Sequence, residues 1–375
     1  PMYVMAMDDF LALDCLAPHD ELRRSGSVVT VAELEARPIH FISHQWLSTE
    51  TADPTCAHLR TMQDVFRRVM GGENVFRSEE QWQTFAKGYS TTNKLYNQHN
   101  GFPNSEDLST ENFREAVSNG LVWLDFISVP QTAGCESPAA TQQALHAQSL
   151  AIASIPAYVR KASTFWVCAP GDAPHASGHA CNFDSWEARG WCRLEEVAFN
   201  LVGKLGDGRP LLVTQPLGHA PQVHTLDMMD RVWMHSQRRG SVLNGDYSCC
   251  RMGHVVTDAA GRRTEIPCDK ARLRRVLERM LAETTECHRC KMLLDPLQHG
   301  ERPLWDCALR SFDPAADNRG FWEHFTLQTL GRLWLADSEA EAPEEGVATA
   351  DELHAFAASF GLAWPHAGPA LCIPA

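Results

Sequence analysis

Four short apolar runs organise the first 215 residues of the chain. They are separated by longer stretches of mixed polarity and span residues 39–43, 121–126, 164–169 and 211–214. Each has the length of a strand, is apolar at consecutive positions and ends in polar or turn-forming residues. Consecutive apolar positions are typical of strands buried on both faces of a parallel sheet. We therefore predict that the four runs form one mostly parallel sheet.

The segments between these runs carry helical periodicity. Apolar residues recur every three or four positions over 55–70, 141–161 and 190–203, and Pro156 predicts a kink in the second of these helices. Strands that alternate with helices in this way predict an α/β domain over 38–215, with helices on both faces of a parallel sheet.

The remaining segments are predicted to surround this domain. Residues 1–37 read as a helical N-terminal extension, and the polar stretch 73–119 reads as an insertion packed on the side of the domain. Residues 216–375 are predicted to be a mainly helical C-terminal region, with a helix at 269–284 and an exposed acidic linker at 336–346.

Polar side chains stand where the predicted strands end. Ser43 and His44 close the first run, Asp125 closes the second, and Glu195 lies near the start of the helix that follows the third. Since the carboxyl ends of parallel strands form the ligand-binding crevice of such sheets, we expect these four residues to line one crevice.

The amino-acid composition of the chain argues against several classes of protein. A formal net charge of −14 argues against nucleic acid or an anionic membrane as the main partner. No apolar stretch approaches transmembrane length and the first residues do not resemble a signal peptide, so we expect a cytoplasmic protein.

The 13 cysteines form no regular framework, which favours free thiols. The chain has no GxGxxG after a strand, no GxxxxGK[ST], no GxSxG and no HExxH.

Four motifs, in order, resemble the TIR (Toll/interleukin-1 receptor) domain family over about 38–215. They are Phe41-Ile42-Ser43-His44, Val122-Trp123-Leu124-Asp125 with Gly134 beyond it, Phe165-Trp166-Val167-Cys168-Ala169-Pro170, and Trp191-Cys192-Arg193-Leu194-Glu195. His44 stands where the family usually has Tyr, and the stretch 73–119 is long for the family. The resemblance implies a flavodoxin-like sheet with flanking helices and a role in signalling.

The resemblance also implies an activity. In enzymatic TIR domains the Glu of the Trp-Cys-x-x-Glu motif cleaves NAD+ between nicotinamide and ribose, and Glu195 holds that position here as a partly exposed carboxylate. NAD+ would be the substrate, with no further cofactor. The residues expected to contact it are Ser43, His44, Trp46, Asp125 and Trp191.

Alternative functions remain open at this stage. The domain could be a non-enzymatic protein-interaction module that self-associates or binds other proteins, or a structural subunit of a larger assembly. Cys192 with His44 or His175 would suit a cysteine hydrolase, although an inert buried thiol is the commoner case.

The cysteine and histidine pattern of the C-terminal region predicts no metal. The CxxC at 287–290 stands alone, and the spacing of Cys249, Cys250, His254 and Cys268 matches no standard zinc pattern.

Overall fold

The structure is a computed structural model of the 375-residue chain. It divides into two compact units, the first made of Pro1–Ser90 and Pro103–Met228 and the second of Thr91–Phe102 and Met229–Ala375. The residues that the structure describes are 1–34, 36–49, 51–87, 108–132, 137–171, 173–202, 211–217, 220–226, 242–257, 261 and 263–286.

A mixed seven-stranded sheet forms the centre of the first unit. Its strands, in chain order, are β1 (Tyr3–Ala6), β2 (Val28–Thr30), β3 (Ile39–His44), β4 (Leu121–Leu124), β5 (Thr164–Cys168), β8 (Leu211–Leu217) and β9 (Ala220–Leu226). A separate two-stranded hairpin is made of β6 (Ala173–Pro174) and β7 (Ala180–Cys181). The spatial order of the large sheet is β2-β1-β4-β3-β5-β8-β9.

Helices flank this sheet. They are α1 (Met7–Ala12), α2 (His19–Ser25), α3 (Ala57–Met70), α4 (Glu79–Lys87), α5 (Thr110–Ser118), α6 (Asp125–Ser128), α7 (Pro138–Ala153), α8 (Ile155–Lys161), α9 (Phe183–Ala188) and α10 (Gly190–Val202). The α/β class predicted from the alternating pattern is confirmed.

The four predicted strands lie side by side and parallel. β3 pairs with β4 on one side and β5 on the other, and β5 pairs with β8. Every residue of β3, β4 and β5 is buried, which explains why their sequences are apolar at consecutive positions. β4 is shorter than predicted, because Asp125 already begins helix α6.

An aromatic row crosses the sheet on one face. Phe41 stacks on Trp123 and on Phe165, with ring centroids 4.2 Å and 5.1 Å away, because the three residues are in register on neighbouring strands. Phe199 of α10 packs on Phe165 with centroids 5.0 Å apart. These contacts seat α10 on this face of the sheet.

The edges of the sheet depart from the sequence prediction. The predicted helical extension over 1–37 contains α1 and α2, but its strand β1 joins the sheet antiparallel to β4. At the other edge β9 pairs antiparallel with β8, so the sheet continues past residue 215 to Leu226. β1 lies in the apolar run 2–7, which was assigned to a helical extension, and β9 has no consecutive apolar run, because Gln222 and His224 interrupt it.

The stretch 73–119 contributes to the core at both of its ends. Trp82 and Phe85 of α4 pack against Phe113 of α5, and all three belong to the main hydrophobic cluster. The prediction of an insertion packed only on the side of the domain is therefore wrong for these ends. Residues 88–107 lie outside the described part.

The predicted helix over 141–161 is divided in two. α7 ends before Ser154, and α8 begins at Ile155 with Pro156 in its first turn. Proline fits a first turn because its missing N–H has no intrahelical partner there. The predicted kink is thus a break between two helices.

Helix α3 is anchored at its N-terminus by a buried aspartate and a disulfide. The two carboxylate oxygens of Asp53 accept from the backbone N–H groups of Ala57 and Leu59, at 2.8 Å and 2.9 Å. Cys56, immediately before the helix, forms a disulfide with Cys15, whose Cα lies 5.5 Å away. The expectation of free thiols is wrong for this pair.

Described by itself, the second unit contains a short helix, a hairpin and a long helix. These are α11 (Ser248–Arg251), the antiparallel strands β10 (Val255–Thr257) and β11 (Arg263–Glu265), and α12 (Asp269–Glu286). The predicted helix at 269–284 is confirmed. The acidic linker predicted at 336–346 lies outside the described residues.

Among the described residues, no helix combines the length and apolar character needed to cross a membrane.

The cap on α3 leads to a stability prediction. Asp53→Ala leaves two N–H groups at the helix start without their acceptor and should lower the free energy of unfolding by about 1–3 kcal/mol. Asp64→Ala, at a 48% exposed position in the same helix, is the matched control and should change it by less than about 0.5 kcal/mol. Denaturant unfolding of both variants measures the difference, and equal effects would show that the cap contributes nothing special.

Candidate functional site

The last two residues of β3 place polar side chains on opposite faces of the sheet. Successive side chains of a strand alternate, so Ser43 shares a face with Phe41 and lies towards α10, while His44 lies on the other face towards α3. Ser43 is 1% exposed and His44 is 6% exposed. Two polar clusters therefore meet at the carboxyl end of one strand.

The first cluster joins Ser43 to Glu195 and Trp186. The Ser43 hydroxyl donates to Glu195 Oε2 at 2.5 Å, and Trp186 Nε1 donates to Ser43 Oγ at 3.0 Å. Glu195 is one helical turn before Phe199, so the residue that packs on the aromatic row also directs Glu195 towards the end of β3. The sheet and the helix thus hold the Ser43–Glu195 contact in position.

Glu195 is a buried carboxyl group. Its residue is 7% exposed, so the partly exposed carboxylate expected from sequence is wrong. Burial raises the pKa of Glu195 well above its usual value; the Ser43 hydrogen bond opposes this rise and the nearby charge of Asp125 adds to it. Its described contacts include no ion pair with Arg189 or Arg193. Burial therefore disfavours the charged form of Glu195 in the free protein.

The second cluster is centred on Asp125. His44 Nε2 lies 2.8 Å from Asp125 Oδ1, Trp46 Nε1 donates to Oδ2 at 2.8 Å, and the backbone N–H of Phe126 donates to Oδ1 at 2.6 Å. The Asp125 side chain is 33% exposed. Burial acts to raise the pKa of Asp125, but His44 and the two N–H donors outweigh it and lower the pKa overall. Asp125 is an ionised carboxylate.

His58 extends this cluster into the interior. Its Nδ1 lies 3.0 Å from His44 Nδ1. His44 Nε2 donates to the Asp125 carboxylate, and one proton lies in the hydrogen bond between His44 Nδ1 and His58 Nδ1. Burial, followed by the charge of His44, lowers the pKa of His58 well below its usual value. The remaining nitrogen of His58, Nε2, is buried without a hydrogen-bond partner.

The geometry does not support a cysteine hydrolase. Cys192 is 2% exposed and its thiol contacts the backbone oxygen of His44 at 3.8 Å, not the imidazole. Burial, with Glu195 as the next contribution, raises the pKa of Cys192 well above its usual value, which disfavours the thiolate. The His175 side chain bonds to other residues: its Nδ1 lies 2.6 Å from Ser177 Oγ, and its ring stacks on that of His179.

The structure brings together five of the six residues predicted for the site. Ser43 and Glu195 form one cluster, and His44, Trp46 and Asp125 form the other. The hydrogen bonds within these clusters do not include Trp191, which is partly exposed in the first turn of α10. The sequence analysis missed Trp186 and His58, which belong to no strand end and stand outside the quoted motifs.

Comparison with protein-family models, with curated proteins and with solved structures finds no match to this chain. The arrangement of the site is therefore interpreted from its own geometry.

The buried Glu195 leads to a prediction on the pH dependence of stability. Because its pKa is raised on folding, the unfolded chain binds fewer protons than the folded one between the usual glutamate pKa and the raised value. The free energy of unfolding of the wild type should fall as pH rises through that window. Titration of Glu195 alone contributes a fall of about 1.4 kcal/mol per pH unit. Glu195→Gln keeps an oxygen for Ser43 and removes the titration.

We expect the two proteins to unfold alike below about pH 4, where the carboxyl is protonated in both states. Towards neutral pH the Glu195→Gln variant should become the more stable. Thermal or denaturant melts from about pH 3 to about pH 8 measure the difference. A variant that is less stable at neutral pH would show that the folded protein holds a stabilised carboxylate.

Proposed function

We propose that the first unit contains a flavodoxin-like, TIR-type domain that binds NAD+ at the carboxyl ends of its parallel strands and cleaves it between nicotinamide and ribose. Numbered as they occur along the chain, the parallel strands β4-β3-β5-β8 have the order 2-1-3-4, which is that of a flavodoxin-like sheet. In such sheets ligands bind where the strand order reverses, here between β3 and β5. Ser43 and His44 lie at that point.

One observation carries the proposal: Glu195, on the helix that follows β5, contacts Ser43 at the end of β3. The TIR resemblance assigns the catalytic carboxyl to Glu195, and the fold supports a ligand site at the same place. Two independent arguments therefore select one residue.

The chemistry needs a single carboxylate. Nicotinamide leaves as a neutral molecule from a pyridinium, so no general acid is required at the leaving group. The bond between nicotinamide and the ribose breaks with its electron pair going to nicotinamide, and the positive charge that develops on the ribose is stabilised by a negative group fixed beside it. Water then bonds to the anomeric carbon and releases a proton. Glu195 supplies that charge once its proton has left, and Asp125 adds a second, already ionised carboxylate close to Trp46.

Burial disfavours the charged form of Glu195 in the free protein, so this mechanism couples ionisation of Glu195 to substrate binding. A cationic nicotinamide ring near Glu195 favours the charged carboxylate and lowers its pKa. Ser43 then stabilises the carboxylate through the hydrogen bond that it already donates, and Trp186 holds the Ser43 oxygen as an acceptor. NAD+ is thus expected to bind more tightly as pH rises.

A non-enzymatic protein-interaction module is the second candidate, and the burial of Glu195 favours it. A carboxyl group that is 7% exposed and bonded to Ser43 joins α10 to the sheet without needing a ligand. In this case Glu195 contributes to the fold, and signalling operates by association of TIR-like domains with each other or with other proteins.

Turnover of NAD+ separates the two candidates. Nicotinamide release by the purified chain should fall by about 10²–10³ in Glu195→Gln, because a preorganised charge at the transition state is lost. Asp184→Asn, an exposed position in α9 with the same loss of one negative charge, should retain wild-type turnover. Wild-type turnover should rise with pH through the raised pKa of Glu195.

Turnover should be measured at low and at high protein concentration, since TIR-like domains are proposed to act in assemblies. Equal turnover in wild type and Glu195→Gln would remove Glu195 from catalysis. If the wild-type chain releases no nicotinamide at any concentration, the interaction module is the better account of this site.

A further inference from the structure

Three thiols and one imidazole converge in the second unit, although their sequence spacing gives no standard metal motif. Their ligand atoms all lie within 4.8 Å of one another. The residues are Cys249 and Cys250 in α11, His254 after that helix, and Cys268 immediately before α12. We propose that they form a structural zinc site of the Cys₃His type, which replaces the sequence-based expectation of no metal.

The distances fit a tetrahedral ion. Ligands about 2.3 Å from a tetrahedral zinc lie about 3.8 Å from each other. Cys250 Sγ is 3.9 Å from Cys249 Sγ, 3.8 Å from Cys268 Sγ and 3.5 Å from His254 Nε2. Cys250 therefore forms three edges of a tetrahedron with the other three ligands. Sulfur and imidazole nitrogen are the donors that zinc prefers.

The backbone at His254 supports a ligand role. His254 has φ of 58°, in the left-handed region that non-glycine residues seldom adopt, and Gly253 before it has φ of 62°. This double left-handed turn bends the chain after α11, and His254 Nε2 lies beside Cys250 Sγ. Such strain usually persists where the surrounding structure or a function requires it, and coordination of a metal would supply that requirement.

The surroundings of the thiols suit bound thiolates. The backbone N–H of Asp269 donates to Cys249 Sγ at 3.4 Å, which is the kind of second hydrogen bond that orients a metal ligand. This N–H belongs to the first residue of α12, so the positive end of the helix dipole also faces the sulfur cluster. Cys249 is 4% exposed, and the other three ligands are partly exposed.

Three of the elements beside the four ligands are short. α11 has four residues, and β10 and β11 have three each. Ligands from α11, from the turn after it and from the start of α12 would tie all of them to one point. Because all four coordination positions are filled by the protein, the site is structural and leaves no position for a substrate.

A disulfide between Cys250 and Cys268 is the competing account. It would use two of the three thiols and leave both the third thiol and the strained His254 without a role. The two accounts differ in metal content and in the oxidation state of the cysteines.

The test uses the full-length chain, expressed with added zinc and purified under reducing conditions. Elemental analysis should find about one zinc per chain, and replacement by Co²⁺ should give the visible absorption of a tetrahedral thiolate site. His254→Asn removes the imidazole while keeping a residue that tolerates the left-handed backbone, and it should lose the zinc on dialysis against a chelator. Cys268→Ser should lose it as well.

Two further variants keep the test decisive if a substitution impairs folding. His254→Cys restores a fourth ligand, so it should retain zinc and strengthen the thiolate-to-cobalt absorption. The double variant Cys287→Ser, Cys290→Ser removes the CxxC that follows α12 along the chain. It should leave the zinc content unchanged. Absence of zinc and cobalt binding in the wild type, metal loss only in the Cys287/Cys290 variant, or a Cys250–Cys268 disulfide found by mass spectrometry would each overturn the proposal.

Discussion

The burial of β3 on both faces is the constraint on which the site depends. β3 is held between two parallel strands, and all six of its residues are buried, so its last two polar side chains must find partners inside the protein. Successive side chains of a strand point to opposite faces of the sheet. Ser43 therefore contacts Glu195 and Trp186 on one face. His44 contacts Asp125 and His58 on the other face. The geometry of both clusters follows from the end of this one strand.

The same edge of the sheet holds two carboxyl groups whose pKa values are shifted in opposite directions. Glu195 is enclosed by α9, α10 and the sheet with the Ser43 hydroxyl as its partner, and burial raises its pKa. Asp125 is partly exposed and receives hydrogen bonds from His44, Trp46 and a backbone N–H, so it stays ionised. Environments that separate the pKa values of neighbouring carboxyls are a common feature of acid–base sites, and they also occur in structural networks.

Local sequence patterns predicted the elements that are long and buried. The four parallel strands and helices α3, α10 and α12 were each signalled by several apolar residues at one period, which leaves little ambiguity. β1 was missed because its apolar run was assigned to a helical extension, and β9 was missed because polar residues interrupt its apolar positions. The sequence also indicated Ser43, His44 and Asp125, because polar residues at the ends of buried strands are conspicuous, and the Trp-Cys-x-x-Glu resemblance indicated Glu195.

The sequence by itself determined the α/β class, the central strands and the polar residues at their ends, because these depend on local periodicity. Tertiary structure alone decided which polar groups meet. It paired Cys15 with Cys56, placed Trp186 beside Ser43 and His58 beside His44, and raised the pKa of Glu195 through burial. It also gathered Cys249, Cys250, His254 and Cys268, which a hairpin separates along the chain. Contacts between distant residues depend on how elements pack, and spacing along the chain does not encode that packing directly.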